Sequence, residues 1–379
     1  MMLKIKLKKV LKMMGIGLLV LVLLGVGYVY WLLGQPQFGK LPSEEALKRF
    51  EKSPQFKNGV FDNTNPTPAL TEGVSYFQVI KEFFFTKKER NVPTQKIPTK
   101  KIDLLHLSAD EEVFVWFGHS SYFIQKEGIK ILVDPVFSGN ASPVKFTTKS
   151  FAGSDAYTVE DFPEIDYLFI SHDHWDHLDY ETVLKLKSKV KKVITGLGVG
   201  EHFKFWGYDS LKINELDWHE KLDLQENISV TATQGRHFSG RGLKRNTSLW
   251  VSFVLKTKNK TLFLGGDSGY DTHFKEIGYK YGPFDLAILE CGQYDQKWKY
   301  IHMMPEEVVQ AGFDLKAVKI IPVHFSKFAL ANHPWDESII RYSTEAKNRK
   351  QTFIAPFIGE KINLNDSATY ESKFWEEVR

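Results

Sequence analysis

Four candidate metal ligands fall within one six-residue segment of the 379-residue chain, namely His172, His174, Asp176 and His177. A strand is predicted to end at residue 170 and a helix to begin near residue 180, so the segment forms the loop between them. At this spacing the first two histidines can face one cation, while the aspartate and the third histidine face a second. Imidazole and carboxylate ligands at this density favour Zn²⁺ over Mn²⁺ or Fe²⁺. The segment therefore predicts a metal site, and a chance surface cluster is the alternative interpretation.

Three further candidate ligands each come shortly after a predicted strand, namely His237, Asp267 and His324. A polar residue after an apolar strand lies at the edge of a sheet, where loops build sites. Taken singly, each is as readily a structural residue as a ligand. Together with the segment 172–177, they supply enough ligands for two metal ions. Asp267 can contact both ions because a carboxylate has two oxygens.

The elements that must position these ligands begin near residue 113, where short β-branched and aromatic runs alternate with Gly, Asp and Pro turns. The pattern predicts strands at 113–117, 122–125, 129–133, 167–170, 192–195, 228–233, 249–255, 261–264, 286–289 and 320–323. It predicts helices at 180–189, 200–205, 305–314 and 336–347. Strands interspersed with helices in this way predict an α/β fold in which two sheets are covered by helices.

Composition excludes several classes of protein. The chain has 50 Lys and Arg against 46 Asp and Glu, and five of the lysines lie in the first 13 residues. The remainder is close to neutral, so the composition argues against a nucleic-acid-binding surface. A hydrophobic fraction of 42% predicts a folded protein rather than a disordered one. The single cysteine, Cys291, cannot form a thiolate cluster, so histidines and carboxylates must hold any metal; we expect its side chain to be buried.

Residues 13–33 carry no charge and include the aromatic residues Tyr28, Tyr30 and Trp31 near their end. A helix of this length spans roughly the 30 Å hydrocarbon core of a bilayer, and aromatic residues favour its interface. We predict an uncleaved, single-pass membrane anchor; a cleaved signal peptide and a buried core helix are the alternatives. The lysines before it predict a cytoplasmic N-terminus and an extracytoplasmic catalytic domain, which is periplasmic if the cell is a Gram-negative bacterium.

Several blocks of sequence lie outside the metal segment, at 116–121 (WFGHSS), 134–138 (DPVFS), 215–218 (ELDW), 237–241 (HFSGR), 266–270 (GDSGY) and 282–286 (GPFDL). Through these blocks, residues 65–341 resemble the metallo-β-lactamase superfamily and, within it, the N-acylphosphatidylethanolamine-hydrolysing phospholipase D group. The resemblance implies an αββα sandwich that binds two zinc ions. One ion would be held by His172, His174 and His237, the second by Asp176, His177 and His324, and Asp267 would bridge them.

The resemblance also implies an activity. The expected protein is a membrane-anchored, zinc-dependent phosphodiesterase of the phospholipase D type, which acts on a phospholipid substrate in the bilayer. It would hydrolyse N-acylphosphatidylethanolamine-like lipids to phosphatidic acid and N-acylethanolamide. A lactonase or other esterase of the same fold is the first alternative, since the same metal chemistry serves attack on a carbonyl carbon. A non-catalytic metal-binding membrane protein is the second.

Five residues are candidates for catalytic or supporting roles. Asp176 and His302 are assigned to catalysis, with His302 contacting the substrate phosphate or assisting the leaving group; an imidazole that caps the next helix is the alternative. Asp134 is expected to orient a ligand imidazole. His119 is either functional or a hydrogen-bonded core residue, and Arg241 could pair with phosphate.

These assignments divide the chain into four predicted regions. Residues 1–12 form a basic cytoplasmic end, 13–33 the transmembrane anchor, 34–101 a juxtamembrane segment and 102–379 the hydrolase domain. In the juxtamembrane segment, Ser43 predicts the start of a short helix. Three phenylalanines at 83–85 then precede basic residues between 87 and 101. This stretch is either a solvated loop whose phenylalanines pack on the domain or a patch that rests on anionic lipid.

Overall fold

The computed structural model describes residues 2–86 and 88–378, so Lys87, part of the predicted basic stretch, lies outside the described residues. The chain divides into two compact units, residues 1–39 and 40–379. The first contains helix α1 (Met2–Leu33) and a 3₁₀ turn at Pro36–Phe38. Within residues 6–33 the mean hydropathy reaches 2.4, so α1 is long and apolar enough to cross a membrane, as an anchor or an N-terminal signal sequence would be. The choice between these, and the topology, stay predictions.

The second unit contains the remaining elements. Its strands are β1 (Phe56–Lys57), β2 (Val60–Phe61), β3 (Val113–Trp116), β4 (Tyr122–Lys126), β5 (Ile129–Val133), β6 (Ile165–Ile170), β7 (Val190–Gly196), β8 (Ile213–Leu216), β9 (Lys221–Gln225), β10 (Ile228–Thr233), β11 (Ser252–Lys256), β12 (Thr261–Leu264), β13 (Leu286–Glu290), β14 (Ile320–Val323), β15 (Ile354–Ala355), β16 (Lys361–Asn363) and β17 (Tyr370–Glu371). Its helices are α2 (Glu44–Phe50), α3 (Tyr76–Phe85), α4 (Tyr180–Leu186), α5 (Gly200–Phe205), α6 (His273–Lys280), α7 (Pro305–Asp314), α8 (Glu337–Asn348) and α9 (Phe374–Glu377).

Thirteen of these strands form two large sheets. One has seven strands in the order β16-β3-β4-β5-β6-β7-β8, and the other has six in the order β14-β13-β12-β11-β10-β9. Strands β5 to β8 are parallel in the first sheet, and strands β12 to β14 are parallel in the second. Parallel neighbours need a crossover connection, which α4, α5, α6 and α7 supply in four of the five cases.

The two large sheets pack face to face. Phe114 of β3 joins the core that the sheets share, whereas its neighbour Val115 joins a second cluster with residues of α4 and α5 on the outer face. Phe169 of one sheet and Phe253 of the other have ring centroids 4.9 Å apart. Helix α7 contacts β13, and α8 packs against α7. The architecture is the predicted αββα sandwich.

The differences from the predicted elements lie mainly at edges and termini. In the two large sheets, strands β8, β9 and β16 were not predicted, and all three are outermost strands, where exposed polar residues weaken the pattern. The segment 34–101 contains two helices: α2, predicted and capped by Ser43, and α3, where the loop prediction was wrong. Residues 40–101 belong to the same compact unit as the sheets, and the predicted boundary at 101 stays a prediction.

Parallel strands bring their carboxyl ends to one edge of each sheet, and the candidate ligands follow those ends. The loop that carries the segment 172–177 follows β6, Asp267 follows β12 and His324 follows β14. His237 lies four residues beyond β10, a central strand of the second sheet. The fold therefore gathers residues from distant parts of the sequence at the edge of both sheets.

Candidate metal centre

Buried hydrogen bonds determine the conformation of the loop that follows β6. Asp173 is 1% exposed, and its carboxylate accepts hydrogen bonds from the Gly240 N–H at 2.7 Å and the Ser248 hydroxyl at 2.9 Å. Arg241 donates from Nη1 to the carbonyls of Asp173 at 2.8 Å and Leu178 at 2.7 Å. These buried hydrogen bonds stabilise the loop, and its histidines and Asp176 face the edge of the sheets.

The first set of side chains at this edge is the histidine group, which we define as His172, His174 and His237. His172 Nε2 and His237 Nε2 lie 2.9 and 3.2 Å from His174 Nδ1. Burial lowers the pKa of His172 and His237 well below the usual value, and it lowers the pKa of His174 to about 4. Three neutral imidazoles therefore point nitrogens at one small volume, which matches the donors of a tetrahedral Zn²⁺ site.

The second set is the carboxylate group, which we define as His119, Asp176, His177 and His324. Asp176 Oδ2 lies 2.8 Å from His119 Nε2, 3.4 Å from His324 Nε2 and 3.6 Å from His177 Nε2. Burial alone would lower the pKa of His177, but Asp267 and Asp176 outweigh it and raise the pKa to about 10. Asp267 and Asp176 likewise outweigh burial at His324 and raise its pKa. Asp176, together with the neighbouring Asp267, therefore balances the charge of these two imidazoles.

Asp267 lies between the two groups. Its Oδ2 is 3.2 Å from both His177 Nε2 and His324 Nε2 in the carboxylate group. The same oxygen is 3.9 Å from His172 Nε2 and 3.8 Å from His237 Nε2 in the histidine group. One carboxylate therefore faces imidazoles from both groups.

A glycine allows Asp267 to reach this position. A Cβ atom on Gly266 would lie 2.7 Å from the carbonyl oxygen of Val251 and 2.8 Å from Cβ of Ser171. Any side chain there would push the end of β12 away from the loop that follows β6. The close approach of the two loops depends on Gly266.

Buried polar atoms without partners show that the cluster suits a cation. In the described part of the chain, His177 Nε2, His324 Nε2 and Asp267 Oδ1 are buried and have no hydrogen-bond partner. Buried polar groups are normally satisfied, because an unpaired one costs free energy. The two imidazole nitrogens both face the carboxylate of Asp267, so a positive ion bound among them would satisfy these groups together. The cluster is capable of binding metal.

Asp134, predicted to orient a ligand, supports imidazoles of both groups. Its Oδ2 lies 2.8 Å from His177 Nδ1, and it accepts a hydrogen bond from the Ser171 hydroxyl at 2.6 Å. The Ser171 oxygen in turn lies 2.9 Å from His172 Nδ1. These contacts on Nδ1 leave Nε2 of both rings directed into the cluster.

Backbone carbonyls orient two more of the histidines. His237 Nδ1 lies 2.8 Å from the Ile301 carbonyl oxygen, and the backbone of His237 exchanges two hydrogen bonds with the Asn63 side chain. His324 Nδ1 lies 3.3 Å from the carbonyl oxygen of Gly292. Asn63 was not predicted, since a lone asparagine in a turn-rich segment gives no sequence signal for this contact.

Glu290 is a second residue that the sequence analysis missed. It is 1% exposed at the end of β13, and its Oε2 lies 3.5 Å from His324 Nδ1 and 3.6 Å from His302 Nδ1. Its other oxygen accepts a hydrogen bond from the Met303 N–H at 2.8 Å. The signal was present, because Glu290 ends an apolar strand in the way that singled out Asp267.

His302 and His119 both lie at the cluster. His302 Nδ1 is 3.9 Å from Asp267 Oδ2, and the ring lines a cavity above the cluster. Glu307, not His302, accepts the N–H of Met304 at the start of α7, so the helix-capping alternative is not supported. Burial lowers the pKa of His119 to about 3, which leaves a neutral ring beside Asp176.

Arg241 occupies a different place from the predicted contact with phosphate. Its side chain is 4% exposed, and its guanidinium carbon lies 3.9 Å from the ring centre of Trp175. Burial lowers its pKa to about 10. Since its Nη1 hydrogen bonds go to carbonyls of the ligand loop, its position favours support of that loop rather than contact with a substrate.

A cavity of about 260 Å³ opens over the cluster. Its polar floor includes His174, Asp176, Asp267, His302 and His324. Its walls are largely apolar and aromatic, and they include Leu70, Tyr76, Phe238, Trp298, Ile301 and Leu330. The site therefore combines a metal-binding floor with walls suited to an apolar group.

An αββα sandwich with a His/Asp cluster at the edge of its sheets is typical of metal-dependent hydrolases. The model of the beta-lactamase superfamily domain matches residues 130–325. The chain is 34% identical to the protein Rv0906 of Mycobacterium tuberculosis over 317 residues, which cover 83% of this chain and 85% of that protein. It is 30% identical to N-acyl-phosphatidylethanolamine-hydrolyzing phospholipase D 1 of Caenorhabditis elegans over 294 residues, which cover 71% of this chain and 80% of that protein.

The fold of a solved structure agrees. Igni18, a metallo hydrolase of Ignicoccus hospitalis, aligns with a TM-score of 0.52 and 17% identity, covering 66% of this chain and 97% of that one. The protein therefore belongs to the metallo-β-lactamase superfamily. It is a metal-dependent hydrolase whose relatives include N-acylphosphatidylethanolamine-hydrolysing phospholipases D.

Proposed function

We propose that this protein is a membrane-anchored, zinc-dependent phosphodiesterase of the phospholipase D type. Its substrate would be an N-acylphosphatidylethanolamine-like lipid, and its products phosphatidic acid and N-acylethanolamide. The observation that carries the proposal is the cavity, which joins a cluster of metal-ligand types to apolar walls. The 30% identity to a nematode phospholipase D of this specificity supports it.

The histidine group would hold one zinc ion, and Asp176, His177 and His324 would hold the second. Asp267 would contact both, since its carboxylate faces imidazoles of both groups. When bound, two zinc ions activate a water molecule and stabilise negative charge on the phosphoryl oxygens. Imidazole and carboxylate donors, without thiolates, suit zinc at both positions.

The residues of the chain would prepare the site for this chemistry. Asp134 fixes the ring of His177 through Nδ1, and Glu290 lies beside Nδ1 of His324, so both rings keep Nε2 towards the metal. His119, as a neutral ring, holds the carboxylate of Asp176 at 2.8 Å. These contacts are made before substrate binds, so the ligands need little rearrangement.

His302 is the group placed to act on the substrate itself. It lies on the floor of the cavity near Asp267, and it is not one of the seven proposed zinc ligands. From there its ring can donate a hydrogen bond to a phosphoryl oxygen or a proton to the leaving group. The apolar walls would bind the acyl chains, and α1 would keep the enzyme in the membrane that contains its substrate.

The full-length chain, purified in detergent, tests the assignment. We expect close to two zinc ions per chain. The wild-type chain should release phosphatidic acid from N-acylphosphatidylethanolamine, and the variant Asp176→Asn should not. His106→Gln, at an exposed histidine far along the sequence from the ligands, is the matched control and should keep full activity. Hydrolysis of lactones without hydrolysis of phosphodiesters would contradict the phospholipase assignment. Metal binding without turnover of either would favour a non-catalytic protein.

The proposed topology has its own test. Protease added to intact cells should cut the large unit and leave a short membrane-protected fragment that contains α1. Cleavage only after the cytoplasm is opened would contradict an extracytoplasmic catalytic unit. A mature protein that begins after residue 33 would show that α1 is a cleaved signal.

A further inference from the structure

Helix α3 presents apolar residues to solvent. Phe77 is 77% exposed, Ile80 is 54% exposed and Phe85 is 82% exposed, and none of the helix's described side chains is buried. A surface helix of a soluble protein normally turns its apolar face to the core. A row of exposed apolar side chains on one helix instead marks a surface that meets a partner.

The helix is fastened beside the mouth of the cavity. Tyr76, its first residue, lines the cavity and lies 3.5 Å from Nη1 of Arg245 through its hydroxyl. Glu82, near the other end, forms an ion pair with Lys297 at 2.8 Å. The loop between β10 and β11, which contains Arg245, adds Leu243, which is 82% exposed. Two elements at the rim of the cavity thus expose apolar side chains.

Basic residues lie among these apolar ones. Lys81 on α3 and Lys244 in the loop are exposed, and neither forms an ion pair within residues 2–86 and 88–378. Lys88 Nζ lies 3.7 Å from the ring centre of Phe83. The acidic residue of the helix, Glu82, is already paired with Lys297. Exposed aromatic and aliphatic side chains beside unpaired lysines complement the interface of an anionic bilayer.

We propose that Phe77, Ile80, Lys81, Phe85, Leu243 and Lys244 form an interfacial surface that seats on anionic phospholipid, with the cavity opening towards the headgroups. The surface would admit a lipid through the gap beside Tyr76 without moving it fully into water. This inference rests on the proposed function for the identity of the substrate. The seating on lipid itself does not depend on catalysis.

Site-specific fluorescence of the full-length chain tests the seating. Cys291 is fully buried, so Phe77→Cys gives one accessible thiol for an environment-sensitive fluorophore. Val318→Cys is the matched control, because Val318 is 64% exposed and lies before β14, at the opposite end of the strand from His324. Both proteins are reconstituted into phosphatidylcholine and phosphatidylglycerol vesicles that contain brominated lipid, which quenches fluorophores within the bilayer.

We expect strong quenching at position 77 and little at position 318. No quenching at position 77, or equal quenching at both positions, would overturn the proposal. Shielding of position 77 that depends on protein concentration in lipid-free detergent, and not on lipid, would indicate a second copy of the chain and would also overturn it. Lys244→Glu should weaken quenching at position 77 about fivefold in anionic vesicles and leave it unchanged in neutral ones.

Hydrolysis separates this inference from the proposed function. In the double variant Phe77→Ser, Ile80→Ser, turnover of vesicle-borne phospholipid should fall at least about tenfold, because two apolar side chains no longer leave water. Turnover of the soluble ester bis(p-nitrophenyl) phosphate should not change. Equal losses of turnover on the two substrates would contradict the proposed interfacial surface. Failure of the wild-type chain to hydrolyse either would overturn the proposed function, while the quenching result would still decide the seating.

Discussion

The histidine group and the carboxylate group of the candidate metal centre differ in the protonation of their imidazole rings. In the histidine group, burial lowers the pKa of every ring, so three neutral nitrogens lie close together. In the carboxylate group, Asp176 and Asp267 raise the pKa of His177 and His324, so those rings keep their protons. The first half has vacant lone pairs at neutral pH, and the second is an internally paired set of charges.

The two proposed zinc ions would therefore bind with different proton balances. An ion in the histidine group meets nitrogens that are already deprotonated. An ion in the carboxylate group must displace the protons that the carboxylates stabilise. Asp267 links the two groups, because it faces the imidazoles of the histidine group and also raises the pKa of His177 in the carboxylate group.

Removal of the shared carboxylate should have the largest effect. In Asp267→Asn, both halves lose the charge that faces them, so we expect loss of both metal ions and a fall in kcat by orders of magnitude. Asp271→Asn, four residues on and directed at Arg236 and Asn65, is the control. Metal content is measured by inductively coupled plasma mass spectrometry. Retention of two ions in Asp267→Asn would mean that the halves are independent.

Changes confined to one half should each remove one ion. We expect His174→Gln to lose the ion of the histidine group and Asp176→Asn to lose the ion of the carboxylate group. Each should lower kcat by more than the roughly 100-fold that outer contacts cost. Metal content and activity are measured on the same samples. If either variant kept two ions or lost both, the proposed division of ligands would be wrong.

Loss of a supporting carboxylate should have a smaller effect, on the carboxylate group alone. Glu290→Gln leaves His324 beside a neutral amide, so we expect metal affinity and kcat to fall about 10- to 100-fold. Glu306→Gln, at a surface glutamate that pairs with Arg341, is the matched control. Competition with a chelator measures the affinities of the two ions separately. An equal loss at both ions would contradict the assignment of Glu290 to one half.

The release of protons on metal binding should differ between the two groups, and this is the smallest of the expected effects. The pKa of His177 is raised to about 10, so at pH 7 its ring is protonated and must release that proton to bind metal. The affinity of the carboxylate group should therefore increase with pH between 6 and 9. The pKa of His174 is lowered to about 4, so the first ion should show little pH dependence over that range. Calorimetry in buffers of different ionisation enthalpy counts the protons, and equal release by both ions would refute the contrast.

The sequence predicted which residues gather in the cluster because their signals are local. Four of them lie in one loop, and Asp267 and His324 follow within three residues of the ends of short apolar strands, which the parallel arrangement brings to one edge. The αββα sandwich followed from the same strands and from the resemblance of residues 65–341.

What the sequence could not predict depends on contacts between distant segments. Asn63 touches His237 across 174 residues, and Arg241 lies under the ligand loop because Asp173 and Leu178 offer it carbonyl oxygens. Helix α3 was missed because most of its residues are apolar and three consecutive phenylalanines end it, so its sequence lacks a simple helical alternation of apolar and polar residues. The missed residues support or surround the site, whereas the proposed ligands themselves were found.

Anomalous diffraction from zinc-loaded crystals of the full-length chain would locate the proposed metal ions directly. Data collected above and below the zinc absorption edge should give two peaks, one enclosed by His172, His174 and His237 and the other by Asp176, His177 and His324. Both peaks should lie within ligand distance of Asp267, at roughly 2.0–2.2 Å from its oxygens. A single peak, or two peaks that Asp267 does not share, would contradict the two-part centre described here.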